Sequence, residues 1–123
     1  MIYGLGVDIV SAARLEEIVE RWGRRFLDRV FTSRELDYCL ERKNPYLPLS
    51  ARFAAKEAMI KAIGGRKGIT MKDIEVINTE TGKPLINSGI RLREYLDSIG
   101  VKRIHLSLTH EAGLGMAFVI LED

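Results

Sequence analysis

The chain has 123 residues, of which 46% are hydrophobic and 29% charged, with 19 Lys and Arg against 17 Asp and Glu. This is the size of one ordinary domain over residues 1–123 with a real core, and the even mix of charges excludes a self-repelling disordered chain. Cys39 is the only cysteine, no apolar run approaches the roughly 20 residues of a membrane helix, and Met1 leads straight into a strand-like run with no secretory leader, so the chain is expected to be soluble and cytoplasmic.

In chain order, Ile2–Val10 reads as a strand, with Tyr3, Leu5, Val7 and Ile9 on one face and Gly4, Gly6 and Asp8 on the other. Ser11 is placed to cap a helix running to about Trp22, where Gly23 breaks it and a short basic helix, 24–30, follows. Thr32-Ser33-Arg34-Glu35 has capping-box spacing and predicts a helix to about Lys43. Asn44-Pro45-Tyr46-Leu47-Pro48 reads as a loop. Leu49–Ile63, rich in Ala, Leu, Met, Lys and Glu, predicts the longest helix, closed by Gly64-Gly65. Strands are predicted at 74–78 and 84–86 around a turn at 79–83, then a helix over 88–99 closed by Gly100, then strands 103–109 and 115–121 joined by a tight turn near 111–113. The order predicts an α+β fold in which a mainly antiparallel sheet packs against the long helix.

Charge is spread unevenly. Residues 1–67 hold 13 Lys/Arg against 9 Asp/Glu, residues 68–123 hold 6 against 8, and eight basic residues fall between Arg14 and Lys43. A basic N-terminal half suits an anionic partner; a solvated helix surface is the plainer alternative.

Two acids stand out. Asp is disfavoured in strands, and Asp8 shares its face with glycines that leave room for a ligand or another backbone. Glu57 lies mid-helix beside Phe53 and Ile60, with Lys61 four residues on; taken alone it is an ordinary i,i+4 ion pair. Together Asp8 and Glu57 offer two hard oxygen ligands from different elements, which suits Mg²⁺ shared with a substrate polyphosphate. Lys61 and the loop Gly64-Gly65-Arg66-Lys67-Gly68 supply cations and backbone N–H groups. The loop lacks P-loop spacing, and Gly4-x-Gly6 lacks the third glycine of a dinucleotide fingerprint. Ser107-Leu108-Thr109-His110 closes a strand and brings a histidine to its exit, where it can donate to a phosphate. Two histidines and one cysteine, widely separated, argue against zinc.

The segments Ile2-Tyr3-Gly4-Leu5-Gly6-Val7-Asp8-Ile9, Phe31-Thr32-Ser33-Arg34-Glu35-Leu36, Arg52-Phe53-Ala54-Ala55-Lys56-Glu57-Ala58 with Lys61, Thr81-Gly82-Lys83-Pro84 and Ser107-Leu108-Thr109-His110 together resemble the holo-acyl-carrier-protein synthase family, the short trimeric branch of the 4′-phosphopantetheinyl transferases. The resemblance spans nearly the whole chain. It implies that fold, and an enzyme that moves the 4′-phosphopantetheine group of coenzyme A onto a serine of apo acyl carrier protein in support of fatty-acid biosynthesis, releasing adenosine 3′,5′-bisphosphate. It implies a magnesium site at Asp8 and Glu57, and catalytic contacts to the phosphates from Lys61 and His110. The substrate-binding set it implies is Arg42, Lys43, Arg52, Lys61, Gly64, Gly82, Lys83, Pro84, Thr109 and His110. Arg14, Arg21, Arg24 and Arg25 would meet the acidic carrier, and homotrimers would carry active sites between protomers. One departure is Leu114, which stands about where the family usually carries an aromatic residue. Two other classes remain in view. A non-catalytic coenzyme-A- or nucleotide-binding module would not need the paired acids. A nucleic-acid binder using the basic stretch would sit poorly with 7% aromatics and no recognisable RNA- or DNA-binding pattern.

Overall fold

The structure is a computed structural model describing residues 1–123. Its elements run β1 (Ile2–Ser11), α1 (Ala12–Trp22), α2 (Arg24–Val30), α3 (Ser33–Leu40), α4 (Tyr46–Ile63), a 3₁₀ turn (Met71–Asp73), β2 (Ile74–Asn78), β3 (Pro84–Ser88), α5 (Ile90–Ser98), β4 (Arg103–Glu111) and β5 (Leu114–Glu122). All strand pairing is antiparallel, as expected, but it forms two sheets: β1-β5-β4, and a separate hairpin β2-β3. The hairpin lies against β4 without ladder bonds, and Leu85, Ile86, Leu96, Val101 and Ile104 line a gap beside this seam. No helix is long and apolar enough to cross a membrane.

Local chemistry explains the element ends. The Ser11 hydroxyl accepts from the Arg14 N–H, and the Thr32–Glu35 capping box forms in both directions. α4 begins at Tyr46, three residues earlier than expected, and takes Pro48 into its first turn, where no N–H is needed for helix bonding. α3 stops at Leu40 and not at Lys43, so Arg42 and Lys43 sit in the turn that leads to α4. Gly64 takes up φ 84°, a left-handed cap that a side chain disfavours. The hairpin β4–β5 turns on Ala112-Gly113, both at positive φ.

α4 lies over β1 and β5 at backbone distance. A Cβ on Gly6 would clash with the Ala58 carbonyl, one on Gly4 with the Ala62 carbonyl, and one on Gly115 with the Ala51 backbone. The glycine face of β1 therefore exists for another backbone to approach, which was one of its two readings. Opposite these glycines α4 buries Ala51, Ala54, Ala55, Ala58 and Ala62, and around this seam Met59, Ile74, Leu92, Val119 and Leu121 form the larger core. Leu15, Leu27, Phe31, Leu36 and Leu49 form a second core under α1, α2 and α3.

A buried ion pair fixes α4 from behind. Lys56 Nζ donates to Glu35 Oε1 at 2.8 Å, to the Met71 carbonyl at 2.9 Å and to the Ile74 carbonyl at 2.7 Å. Glu35 also accepts from the N–H groups of Thr32 and Val76, so every charged atom has partners. Burial pulls the Lys56 ammonium below its usual range, and Glu35 opposes that.

The other face of the three-stranded sheet is open. Tyr3, Leu5, Val7 and Ile9 of β1, with Leu114, Met116 and Phe118 of β5, are each between 38% and 55% exposed. In β1 the alternation thus puts the large apolar side chains outward and the glycines inward.

Candidate active site

The first cluster sits beside the β1 edge. Lys61 Nζ donates to Asp8 Oδ1 at 2.9 Å and to the Val7 carbonyl at 3.0 Å. Lys61 pairs with Asp8 across the helix–sheet seam, so the ordinary i,i+4 pairing to Glu57 is not the one that forms. One turn along α4 from Lys61, Glu57 shares its flank. Asp8 is mostly buried at 18% side-chain exposure, while Lys61 is 56% exposed and free to swing toward a ligand. There is no cluster of three or more His, Cys, Asp or Glu side chains. Two carboxylates without a third protein ligand suit a hard cation that completes its shell with waters and substrate oxygens, and not an all-protein cage.

The second cluster lies on the other side of α4. A pocket of about 650 Å³ opens between α3, the start of α4, the β2–β3 turn and the end of β4. It gathers Arg42, Lys43, Arg52, Gly82, Pro84, Thr109 and His110 from the expected set; Lys83 does not line it. Arg52 is 4% exposed. Its guanidinium donates to Asn78 Oδ1 and weakly to the Pro48 carbonyl, and its Nε has no partner. No carboxylate pairs with it. A buried cation without an acid is costly unless an anion arrives. Beside it the Cys39 thiol is pushed up to about 11 by burial, more than Arg52 lowers it, so it is no nucleophile at neutral pH.

The two clusters do not meet within the chain. Lys61 is nine residues beyond Arg52, about two and a half helical turns, so the two project from opposite sides of α4. β1 and β4 are likewise the two edges of the sheet, with β5 between them, roughly 10 Å apart. His110 therefore joins the Arg52 pocket and not the Asp8–Lys61 pair. Gly64 and Gly65 turn their N–H groups back to the carbonyls of Ile60 and Lys61, where they cap α4.

The expected partner face lies on α1 and α2. Arg14, Arg21 and Arg25 flank shallow grooves floored by Ile18, Trp22 and Phe26, while Arg24 is tied to Asp28 at 2.9 Å. Trp22, 63% exposed, went unassigned from sequence, as did Arg29 beside it. The helical spacing 18, 22 with 26 beyond was the available signal. Leu114 lines the groove next to Ile9, Arg14 and Phe53.

The 4′-phosphopantetheinyl transferase superfamily model matches residues 4–117. The chain is 45% identical to the holo-[acyl-carrier-protein] synthase of Halothermothrix orenii, over 100% of this chain and 99% of that one. Its fold superposes on the crystal structure of holo-[acyl-carrier-protein] synthase from Neisseria meningitidis with a TM-score of 0.93, at 36% identity and full coverage of both chains. The Helicobacter pylori enzyme of the same name, solved in complex with coenzyme A, matches with a TM-score of 0.83 at 30% identity, over 96% of this chain and 99% of that one.

Proposed function

The chain belongs to the 4′-phosphopantetheinyl transferase superfamily, in its holo-[acyl-carrier-protein] synthase branch, and on that premise we propose that it moves phosphopantetheine from coenzyme A to a serine of apo acyl carrier protein, with the two flanks of α4 dividing the work. The observation that carries the division is Arg52, a buried guanidinium with no acid. Coenzyme A brings two anions, a pyrophosphate and a 3′-phosphate. Arg42, Lys43 and Arg52 hold the 3′-phosphate end, and the pyrophosphate reaches Lys61 and His110. Asp8 and Glu57 are the residues that would hold a magnesium ion, which would neutralise pyrophosphate charge.

The carrier serine oxygen attacks the phosphorus that bears pantetheine. The bond from that phosphorus to the bridging oxygen breaks, and adenosine 3′,5′-bisphosphate leaves. Lys61 turns from Asp8 to the bridging oxygen as negative charge grows there. The serine proton passes to Asp8, Glu57 or a water. Arg14, Arg21 and Arg25 around Ile18, Trp22 and Phe26 suit an acidic carrier helix with an apolar stripe.

The working unit is a homotrimer in which the Asp8 flank of one copy faces the Arg52 pocket of the next. What supports this is the helix that stands between the two flanks in one chain, and the open apolar face of the sheet, which another copy can cover. Residues 1–123 act as one transferase unit, and the free, buried Cys39 suits a reducing cytoplasm.

The test is intact-protein mass spectrometry of apo acyl carrier protein incubated with this protein, coenzyme A and Mg²⁺, beside an EDTA control. A gain of one phosphopantetheine unit that EDTA abolishes is expected. No gain on several apo carriers, with coenzyme A still bound, would turn the reading to a non-catalytic binding module.

A further inference from the structure

We infer that Tyr38 is a positioning residue for coenzyme A recognition: its ring holds the guanidinium groups of Arg42 and Arg52 together as one anion clamp. The inference rests on the reading of the Arg52 pocket as the place for the 3′-phosphate.

The guanidinium carbon of Arg42 lies 4.2 Å from the centroid of the Tyr38 ring, and that of Arg52 lies 4.3 Å from it. The two arginines come from different places, Arg42 from the turn after α3 and Arg52 from α4. Neither has a carboxylate partner, and Lys43 adds a third positive charge to the same pocket. Like charges gathered this way repel, and a chain with no bound anion would splay them apart. The negative face of an aromatic ring is the one attractive element the pocket supplies to both. Tyr38 is half-buried and lines the pocket with them.

Both cation contacts of the Tyr38 ring are with guanidinium groups of the pocket. Its work is done through the arginines. Preformed donors bind a phosphate more tightly than donors that must first be gathered, so the ring acts on affinity for the doubly charged 3′-phosphate. It is distant in role from the bond that breaks, so turnover should not depend on it.

The experiment measures initial transfer rates with coenzyme A and with 3′-dephospho-coenzyme A for the wild type, Tyr38→Phe and Tyr38→Leu. The wild type is expected to favour coenzyme A through a lower KM. Tyr38→Leu is expected to raise KM for coenzyme A by about ten-fold, while its kcat and its KM for the dephospho substrate stay at wild-type values. Tyr38→Phe, which keeps the ring and loses only the hydroxyl, is expected to behave as wild type. Three results would overturn the inference. If Tyr38→Leu weakens both substrates equally, the ring is only packing. If Tyr38→Leu keeps the full preference for coenzyme A, the clamp does not need the ring. If the wild type itself shows no preference, there is no 3′-phosphate clamp to position, and the pocket assignment falls with it. Retained transfer of the dephospho substrate shows that the Leu variant is folded.

Discussion

The two flanks of α4 present opposite electrostatic situations. On the β1 side Asp8 and Lys61 already neutralise each other, and the exposed Lys61 can leave. On the β4 side Arg52 is buried without an acid and keeps an unpaired N–H. One flank is at rest without a ligand; the other is under-satisfied without one. A site of the first kind can exchange its partner for a substrate at little cost, while one of the second kind spends fold stability to be ready for an anion. The same helix carries both, and its distance from the sheet is set by backbone contact.

The largest effect should come from the flank at rest. Glu57→Gln keeps shape and removes a negative charge, and transfer is expected to fall at least about 100-fold with an unchanged melting temperature. Near-normal turnover at low magnesium would show that Glu57 is no cation ligand and erase the contrast. Gly6→Ala acts on the spacer common to both flanks. Its methyl group must push the Ala58 carbonyl away, and a loss of about 3 kcal/mol in denaturant unfolding is expected. A neutral outcome would mean that α4 is free to shift, and that neither flank has a fixed geometry.

Arg52→Met sharpens the comparison from the other side. Without the buried charge, the ligand-free protein is expected to gain about 1 kcal/mol or stay level, while KM for coenzyme A rises roughly ten-fold or more. A large loss of stability in that variant would show Arg52 to be a structural group. The smallest effect should be seen in acid. Burial raises the Glu75 carboxyl, but bonds from Thr32 and Asn87 and the nearby Arg34 charge hold it below its usual 4.5. A folded-state value below the unfolded one adds stability that is present above about pH 4.5 and is lost as pH falls through the folded value. Glu75 ties the cap of α3 to β2, and β2 carries Asn78, the partner of Arg52. Melting curves below about pH 4.5 are therefore expected to fall more steeply for the wild type than for Glu75→Gln. Parallel curves would release the pocket flank from this tie.

Much of the fold was legible because local rules decided it. Alternation in β1, the Thr32 capping box and the glycine caps at Gly64 and Gly100 each depend on a few neighbouring residues. The start of α4 was not legible, since Pro45 and Pro48 read as a loop although the first helical turn tolerates proline. Glu35 announced its role as a cap, but nothing local announces that its carboxylate also meets Lys56, 21 residues on, inside the core. The division into two sheets was likewise not legible, since no local pattern says that β3 lies beside β4 without pairing to it. For the site, Asp8, Glu57 and Lys61 came forward as unusual residue types, and the Asp8–Lys61 contact joins two of them. The family resemblance grouped His110 with them, and within one chain the phase of α4 and the order of the strands put it on the other flank. Tyr38 and Trp22 carried no motif, and an aromatic side chain gives little sign in sequence of what charge lies over it.

Three glycines and a run of alanines set how far α4 stands from the sheet, and this has a consequence for how the protein can be altered. Where side chains interdigitate, one substitution can be absorbed by changing its neighbour. At Gly4, Gly6 and Gly115 the neighbour is a main-chain atom, which no second mutation can make smaller. Random libraries should thus find compensated variants among Met59, Ile74, Leu92, Val119 and Leu121 of the larger core and none at these three positions. Engineering for a new donor or carrier is best directed outward from the seam, to residues whose change does not ask the two backbones to part.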